Sequence, residues 1–177
     1  KIKKISFTGS TEVGKILINQ SSSTVKKLSM ELGGNAPFII FDDADIDLAI
    51  EGVMLSKFRN SGQTCICANR IYVQKRVYES FLKKFIIKVK NLKVGSGLDP
   101  SVEIGPLINK DATKKISKIL DDAVRKGAKI LLGGTKHNYG ANFVQPTIIT
   151  NISDDMLICY TEIFGPVAAI YSFDDEK

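Results

Sequence analysis

Two residues of this sequence have the chemistry for covalent acyl transfer, one cysteine and one glutamate. Cys65 ends a short, polar segment, Phe58-Arg59-Asn60-Ser61-Gly62-Gln63-Thr64-Cys65, and Glu31 is followed closely by Gly33 and Gly34. A cysteine thiolate can attack a carbonyl carbon, and a carboxylate can activate the water that releases the acyl group. The sequence therefore predicts a nucleophile at Cys65 and a general base at Glu31, on two segments that must face each other.

The three cysteines also allow other interpretations. Free cysteine is among the most buried residue types, so Cys65 could be a small core residue, although the polar residues before it argue against full burial. Cys67 either packs as a strand residue or is a redox partner that forms a disulfide with Cys65 under oxidation. The one-residue spacing would strain that bridge. Cys159 is predicted to lie in the core.

Composition and charge exclude several functional classes. With 177 residues, of which 44% are hydrophobic, the chain can bury one sizeable core. No apolar run approaches the ~20 residues that span a bilayer, and the basic start lacks the apolar stretch of a secretory signal. The net charge of +6 comes from lysines scattered among apolar residues. That pattern is typical of solvated helix faces, so neither a membrane nor a nucleic acid is predicted as a partner.

An odd number of cysteines, two of them separated by one residue, is a poor disulfide framework. A reducing compartment is therefore expected, and we predict a cytoplasmic protein. The one histidine, His137, lies in a polar turn between glycine clusters. It is predicted to be a surface residue, and neither a metal site nor serine–histidine hydrolysis is expected.

Hydrophobic periodicity predicts an α/β fold with a largely parallel sheet and flanking helices. The apolar run at residues 37–41 is expected to be a strand covered on both faces, and clustered aspartates cap the helix that follows it. That helix must end near Arg59. The clearest helix covers residues 111–126, with Gly127 as its C-terminal cap. Other strands are predicted at residues 2–7, 26–32, 71–74, 129–132, 143–150 and 167–173, other helices at residues 15–20 and 77–92, and a loop at residues 21–23.

The first predicted strand leads through a glycine-containing turn into a helix. This arrangement points backbone N–H groups at a phosphate, but the spacing from Gly9 to Gly14 differs from the usual dinucleotide-binding pattern. A domain that binds a dinucleotide needs more strands beside the turn than this chain supplies. We therefore expect a fragment of a longer protein, cut at both ends.

Four motifs together resemble the aldehyde dehydrogenase superfamily. They are Phe7-Thr8-Gly9-Ser10, Glu31-Leu32-Gly33-Gly34, Gly62-Gln63-Thr64-Cys65 and Glu162-Ile163-Phe164-Gly165-Pro166, with Gly105-Pro106-Leu107 between the last two. Their order and spacing match those of the family, and the resemblance covers essentially the whole chain. It implies the catalytic-domain part of the aldehyde dehydrogenase fold. Residues 1–30 would end a truncated NAD(P)-binding domain, and residues 31–177 would form a catalytic thiol domain truncated at its C-terminal end.

Within the superfamily, the segments around Cys65 and Glu31 resemble bacterial-type succinate-semialdehyde dehydrogenase. The resemblance implies that Arg59 binds the distal carboxylate of the aldehyde, since a guanidinium offers a planar fork to a carboxylate. Alternatively, Arg59 is a cation at a helix C-terminus that satisfies backbone carbonyl groups. The rival functions are an aldehyde dehydrogenase for another aldehyde and a module that is inactive as an isolated chain.

The resemblance also implies a cofactor, NAD or NADP, and a mechanism. The Cys65 thiolate forms a thiohemiacetal and then a thioester, which water activated by Glu31 hydrolyses. Glu162 would accept hydroxyl groups of the nicotinamide ribose, with Phe164 packing nearby; the alternative for both is an ordinary turn before a strand. The complete set of residues implied to contact the cofactor is Gly9, Ser10, Val13, Leu32, Glu162 and Phe164.

Several residues of the family pattern have no counterpart in this chain. Thr161 stands where the family often has a second acidic residue. The asparagine that completes the oxyanion hole, a second substrate arginine and the residues that bind the adenosine ribose would all lie upstream of Lys1. The segment that builds the family's homo-oligomer would follow Lys177. The resemblance therefore implies that this chain holds the nucleophile and the base but not a whole active site.

Overall fold

In this computed structural model, which describes residues 2–176, the chain forms two compact units divided between Gly34 and Asn35. The first unit contains β1 (Lys4–Gly9), α1 (Thr11–Ser22) and β2 (Lys27–Leu32). Because β2 extends across the boundary predicted at residues 30 and 31, Glu31 lies in the first unit. The functional identity of each part stays a prediction.

The first unit has the predicted order of strand, turn and helix. Strands β1 and β2 pair in parallel. Ser10 caps α1, where its hydroxyl oxygen accepts a hydrogen bond from the Val13 N–H at 3.3 Å. The loop predicted at residues 21–23 was wrong for Ser21 and Ser22, which continue the helix. Their hydroxyl groups donate to the carbonyls of Leu17 and Asn19, so these serines bond within the last turn.

The second unit is built on a five-stranded sheet in the order β3-β4-β7-β6-β5. All neighbouring strands are parallel except β5, which is antiparallel to β6. This confirms the α/β fold with a largely parallel sheet. Its elements are β3 (Ala36–Ile40), α2 (Ile46–Phe58), β4 (Ala68–Gln74), α3 (Lys75–Lys90), α4 (Lys110–Arg125), β5 (Lys129–Leu132), β6 (Thr147–Thr150) and β7 (Val167–Phe173).

Helices cover both faces of this sheet. Alternate residues of the central strand β7 point to opposite sides, since side chains alternate along a strand. Ala168 and Ile170 belong to the core that includes α2 and α3, whereas Val167 and Ala169 belong to the core that includes α4. The strand is buried on both faces and fixes the layer against which all three helices pack.

The helix boundaries follow local capping. Asp45 caps α2, with its carboxylate accepting from the backbone N–H groups of Asp47 and Leu48. Asn109 caps α4 in the same way through the N–H of Ala112. Gly127 follows α4 with a φ of +102°, as predicted for its C-terminal cap. Among the helices formed by residues 2–176, none is both long and apolar enough to span a membrane.

Two strand predictions were wrong in detail. Strand β3 is at the edge of its sheet rather than covered on both faces, and Ile39 is 52% exposed. An apolar run cannot by itself tell an edge strand from a central one. The strand predicted from residue 143 begins only at Thr147, after Pro146, which has no N–H to donate to the sheet.

Candidate active site

The segment between α2 and Cys65 has an unusual backbone. Asn60, Ser61 and Gly62 are three consecutive residues with φ values of 50°, 57° and 74°. Left-handed backbone costs a non-glycine residue about 1–3 kcal/mol and persists only where the surroundings enforce it. This stretch ends α2 and leads the chain into the turn that carries Cys65.

Side-chain hydrogen bonds hold this strained segment against residues 105–108. The Ser61 hydroxyl donates to the carbonyl of Gly105 at 3.0 Å. Gln63 binds through both ends of its amide: Oε1 accepts from the Ile108 N–H at 2.9 Å, and Nε2 donates to the Pro106 carbonyl at 3.4 Å. The Gly105-Pro106-Leu107 motif therefore supports the segment that leads to Cys65 from one side.

The turn formed by residues 162–166 contacts the same segment. A Cβ atom at Gly62 would lie 2.2 Å from the carbonyl oxygen of Gly165, so the two backbones touch. The Ile163 N–H donates to Asn69 Oδ1 at 3.3 Å, which ties the turn to the start of β4. Three motifs that are far apart in the sequence thus meet within the second unit.

Cys65 lies at the tip of a turn. The Cys67 N–H donates to the Thr64 carbonyl at 3.2 Å, which places Cys65 and Ile66 at its two central positions. The Cys65 side chain is exposed, so the interpretation of Cys65 as a core residue was wrong. An exposed thiol on a turn held by its neighbours can be reached by a carbonyl compound from solution.

Cys67 is buried, and its thiol donates to the Lys57 carbonyl at 3.3 Å. It packs as predicted, although it lies just before β4 and not in a strand. Both cysteines are free thiols, and a disulfide between them stays a prediction. Cys159 is only half-buried at the edge of the α4 core, so the prediction that it lies in the core was only partly right.

Arg59 is exposed immediately after α2. Within residues 2–176 its guanidinium makes no ion pair and donates no hydrogen bond, so the alternative in which it satisfies the last carbonyls of α2 finds no support. This unpaired guanidinium, close in sequence to Cys65, is available to bind an anionic group. Its substrate role stays a prediction.

Glu162 and Phe164 lie in the turn that contacts the segment leading to Cys65. Phe164 has a φ of +56°, which is rare for a bulky residue, and its ring is 36% exposed. Glu162 is half-buried, and within residues 2–176 its Oε1 atom is buried without a hydrogen-bond partner. An unpartnered carboxylate oxygen can accept a hydrogen bond from a hydroxyl group, and the contact of Glu162 with a cofactor ribose stays a prediction.

In the first unit, the remaining predicted residues gather at one edge. The carboxyl ends of β1 and β2 are level, with Thr8 opposite Glu31 and Gly9 opposite Leu32. Ser10 and Val13 open α1 directly after β1, and the Glu31 side chain is exposed. Backbone N–H groups at a helix N-terminus attract phosphate. This edge therefore brings the predicted base together with Gly9, Ser10, Val13 and Leu32.

A model of the aldehyde dehydrogenase family matches residues 1–177. The chain belongs to the aldehyde dehydrogenase family. It is 55% identical over 175 residues to a probable succinate-semialdehyde dehydrogenase [NADP(+)] from Sinorhizobium fredii, covering 99% of the chain and 36% of the relative. It is 52% identical over 175 residues to 3-sulfolactaldehyde dehydrogenase from Pseudomonas putida, with the same two coverages.

Among solved structures, succinate-semialdehyde dehydrogenase from Burkholderia pseudomallei matches with a TM-score of 0.96 and 50% identity. The match covers 98% of this chain and 36% of that one. The chain thus spans about a third of the length of the aldehyde dehydrogenases that it matches. Its α/β sheet with flanking helices is the corresponding part of their fold.

The burial of one residue of this aldehyde dehydrogenase chain, Lys57, was not predicted from the sequence. Lys57, in the last turn of α2, is fully buried, whereas the charge pattern predicted lysines on solvated helix faces. A signal was present, since Lys57 follows Ile50 and Val53 at the spacing of the apolar stripe. By contrast, no group of three or more His, Cys, Asp or Glu side chains in the described part of the chain could hold a metal ion.

Proposed function

We propose that this chain is the catalytic portion of an NAD(P)-dependent enzyme that oxidises succinate semialdehyde to succinate. The observation that carries the proposal is the exposed Cys65 thiol, on a turn braced by two other family motifs. Residues 1–30 would belong to the NAD(P)-binding domain and residues 31–177 to the thiol domain. By resemblance to the family, we also propose a cytoplasmic homo-oligomer.

In the proposed reaction, the Cys65 thiolate attacks the aldehyde carbon and forms a tetrahedral thiohemiacetal. The Cys65 backbone N–H has no acceptor within residues 2–176, so it can donate to the oxyanion, which needs preorganised donors. When bound, NAD or NADP supplies the nicotinamide that accepts a hydride. The product on Cys65 is a thioester, and Glu31 removes a proton from the water that hydrolyses it.

Two residue groups would orient the reactants. The exposed guanidinium of Arg59 would bind the distal carboxylate of the substrate. By resemblance to the family, Glu162 and Phe164 are the proposed cofactor contacts of the second unit, and Gly9, Ser10, Val13 and Leu32 are those of the first. Because 3-sulfolactaldehyde carries a sulfonate, the 52% identity to the Pseudomonas putida enzyme supports a second candidate, an aldehyde with another anionic group at the same arginine.

The test uses the protein expressed from the complete gene, with succinate semialdehyde, NAD or NADP, and nicotinamide absorbance as the readout. We expect steady turnover by the wild type and none by Cys65→Ala. Glu31→Gln should give a burst of reduced nicotinamide followed by very slow turnover, because acylation precedes hydrolysis. Aldehyde oxidation by the Cys65→Ala variant would refute the proposal.

A further inference from the structure

Asp122 is a nearly buried carboxylate on α4 to which the proposed reaction gives no role. Its side chain is only 8% exposed, and an aspartate is almost never buried without a partner. Its Oδ2 atom accepts a hydrogen bond from the backbone N–H of Leu157 at 2.8 Å. Its Oδ1 atom lies 3.2 Å from Lys126 Nζ and 3.7 Å from Arg125 Nη2. The carboxylate therefore joins α4 to a segment 35 residues further along the chain.

Leu157 begins a short 3₁₀ turn, Leu157–Cys159. The first N–H group of a helical turn has no acceptor within the turn itself. Within residues 2–176 the preceding residue, Met156, makes no side-chain hydrogen bond to cap the turn, and the Asp122 carboxylate supplies the acceptor from α4. The Leu157 N–H, more than the flanking cations, holds the pKa of Asp122 below its usual range, so the acceptor is charged at neutral pH. Hydrogen bonds to a charged acceptor are the stronger kind.

The Leu157 carbonyl continues this connection toward Glu162. It accepts a hydrogen bond from the Thr161 N–H at 3.1 Å, and Thr161 is the residue directly before Glu162. One peptide segment thus runs from an N–H held by Asp122 to the backbone beside the proposed cofactor carboxylate. Each step of this connection is a hydrogen bond or a covalent bond within the second unit.

Apolar burial alone would not set the direction of this segment. Met156, Ile158 and Ile163 are buried in the core that includes α4, but the hydrophobic effect has no preferred direction, whereas a hydrogen bond does. On the other side of Glu162, the Ile163 N–H donates to Asn69 Oδ1 at 3.3 Å. The backbone is therefore anchored by a side-chain acceptor both before and after the carboxylate.

We propose that Asp122 is a positioning residue: through its hydrogen bond with Leu157, it holds the Glu162 carboxylate where it binds the cofactor. The proposal rests on the cofactor contact proposed above for Glu162. It accounts for an acidic residue on the buried side of α4, among the apolar residues of that core. It also assigns to α4 a role in cofactor binding, although the helix itself supplies no proposed cofactor contact.

The test measures the Kd of NAD and NADP by fluorescence titration, without substrate, for the protein expressed from the complete gene. Asp122→Ala and Glu162→Gln are each expected to weaken binding by about 5-fold, within the range for residues coupled in one network. The double variant should bind no more weakly than Glu162→Gln, because Asp122 acts through Glu162. Asp122→Asn keeps an oxygen that accepts the Leu157 N–H and should restore most of the affinity. Asp121→Ala, which removes an exposed carboxylate from the same helix, is the control and should leave Kd unchanged.

The outcomes separate the inference from the function on which it rests. If Asp122→Ala leaves Kd unchanged while Glu162→Gln weakens binding, the inference alone fails. If Glu162→Gln leaves Kd unchanged, the proposed cofactor contact fails as well. Weakening by the same factor in both backgrounds, or an Asp122→Asn variant as weak as Asp122→Ala, would show a purely structural effect and overturn the inference.

Circular dichroism checks that each variant folds. Should Asp122→Ala not fold, Asp122→Leu takes its place, since it removes the acceptor but can pack against the apolar residues of the α4 core. The same weakening of about 5-fold is expected for that variant, on the same grounds of coupling within one network. An unchanged Kd for Asp122→Leu would equally overturn the inference.

Discussion

The backbones of Gly62 and Gly165 are in contact: a Cβ atom at position 62 would lie 2.2 Å from the Gly165 carbonyl oxygen. Gly62 precedes the Cys65 turn, and Gly165 lies in the turn that carries Glu162. No side chain separates the two segments. The position of the proposed nucleophile and the position of the proposed cofactor carboxylate are therefore mechanically linked within the second unit.

The first prediction concerns this contact. Gly62→Ala should lower the free energy of unfolding by about 1–3 kcal/mol, the usual cost of overpacking, since the left-handed φ of +74° adds strain to the clash. Urea denaturation measures the change. Gly97→Ala is the matched control, because nothing lies within 4 Å of a Cβ at that position. Equal stability of the two variants would contradict the predicted contact.

The second prediction concerns the reactivity of the cysteines. Cys65 is exposed, Cys159 half-buried and Cys67 buried, so iodoacetamide should label Cys65 first and Cys67 last in the native protein. Peptide mass spectrometry over a time course gives the order, and denatured protein, in which all three thiols react, is the control. Labelling of Cys67 as early as Cys65 would show that the turn is not held as described.

The third prediction concerns Arg59. In the protein expressed from the complete gene, Arg59→Gln should lower kcat/KM for succinate semialdehyde by about 10- to 100-fold, the worth of a hydrogen bond to a charged group. Activity with butanal, which has the same number of carbons but no carboxylate, should change little. Steady-state kinetics with both aldehydes provide the measurement. An equal loss with both would assign Arg59 a structural role.

The fourth prediction concerns pH. Burial lowers the pKa of Lys57 below its ordinary value of 10.5, so the unfolded state binds more protons than the folded state between the lowered pKa and 10.5. The contribution of Lys57 to the free energy of unfolding must therefore rise with pH across that window. The destabilisation caused by burying the charge is greatest at pH values below the window. The groups facing the lysine, Cys67 and Glu162, oppose this shift without cancelling it.

Lys57→Met removes this titration. The variant should gain stability relative to the wild type at neutral pH, and the difference should shrink as pH approaches 10.5. Urea denaturation of both proteins at several pH values measures this difference in the free energy of unfolding. The other lysines and the tyrosines titrate in both proteins alike, so their contribution cancels in the difference. A difference that stays constant with pH, or grows as pH rises, would contradict the prediction.

Local sequence determined much of this structure. The stripe Ile50, Val53 and Phe58 specified α2, and strands β5 and β7 began and ended where their apolar runs did. These features depend on spacing and capping, which act over a few residues. The order and spacing of four motifs, among them those around Cys65 and Glu31, likewise predicted the family to which the chain belongs.

The tertiary structure alone decided what depends on contacts between distant segments. Burial of Lys57, the exposed position of β3 at the sheet edge and the contact of Gly62 with Gly165 arise from residues far apart in the chain. A sequence pattern reports which residues prefer to avoid water, but not which neighbour covers them or which charge they face. Those are properties of packing in three dimensions, where the free energy of each group depends on its surroundings.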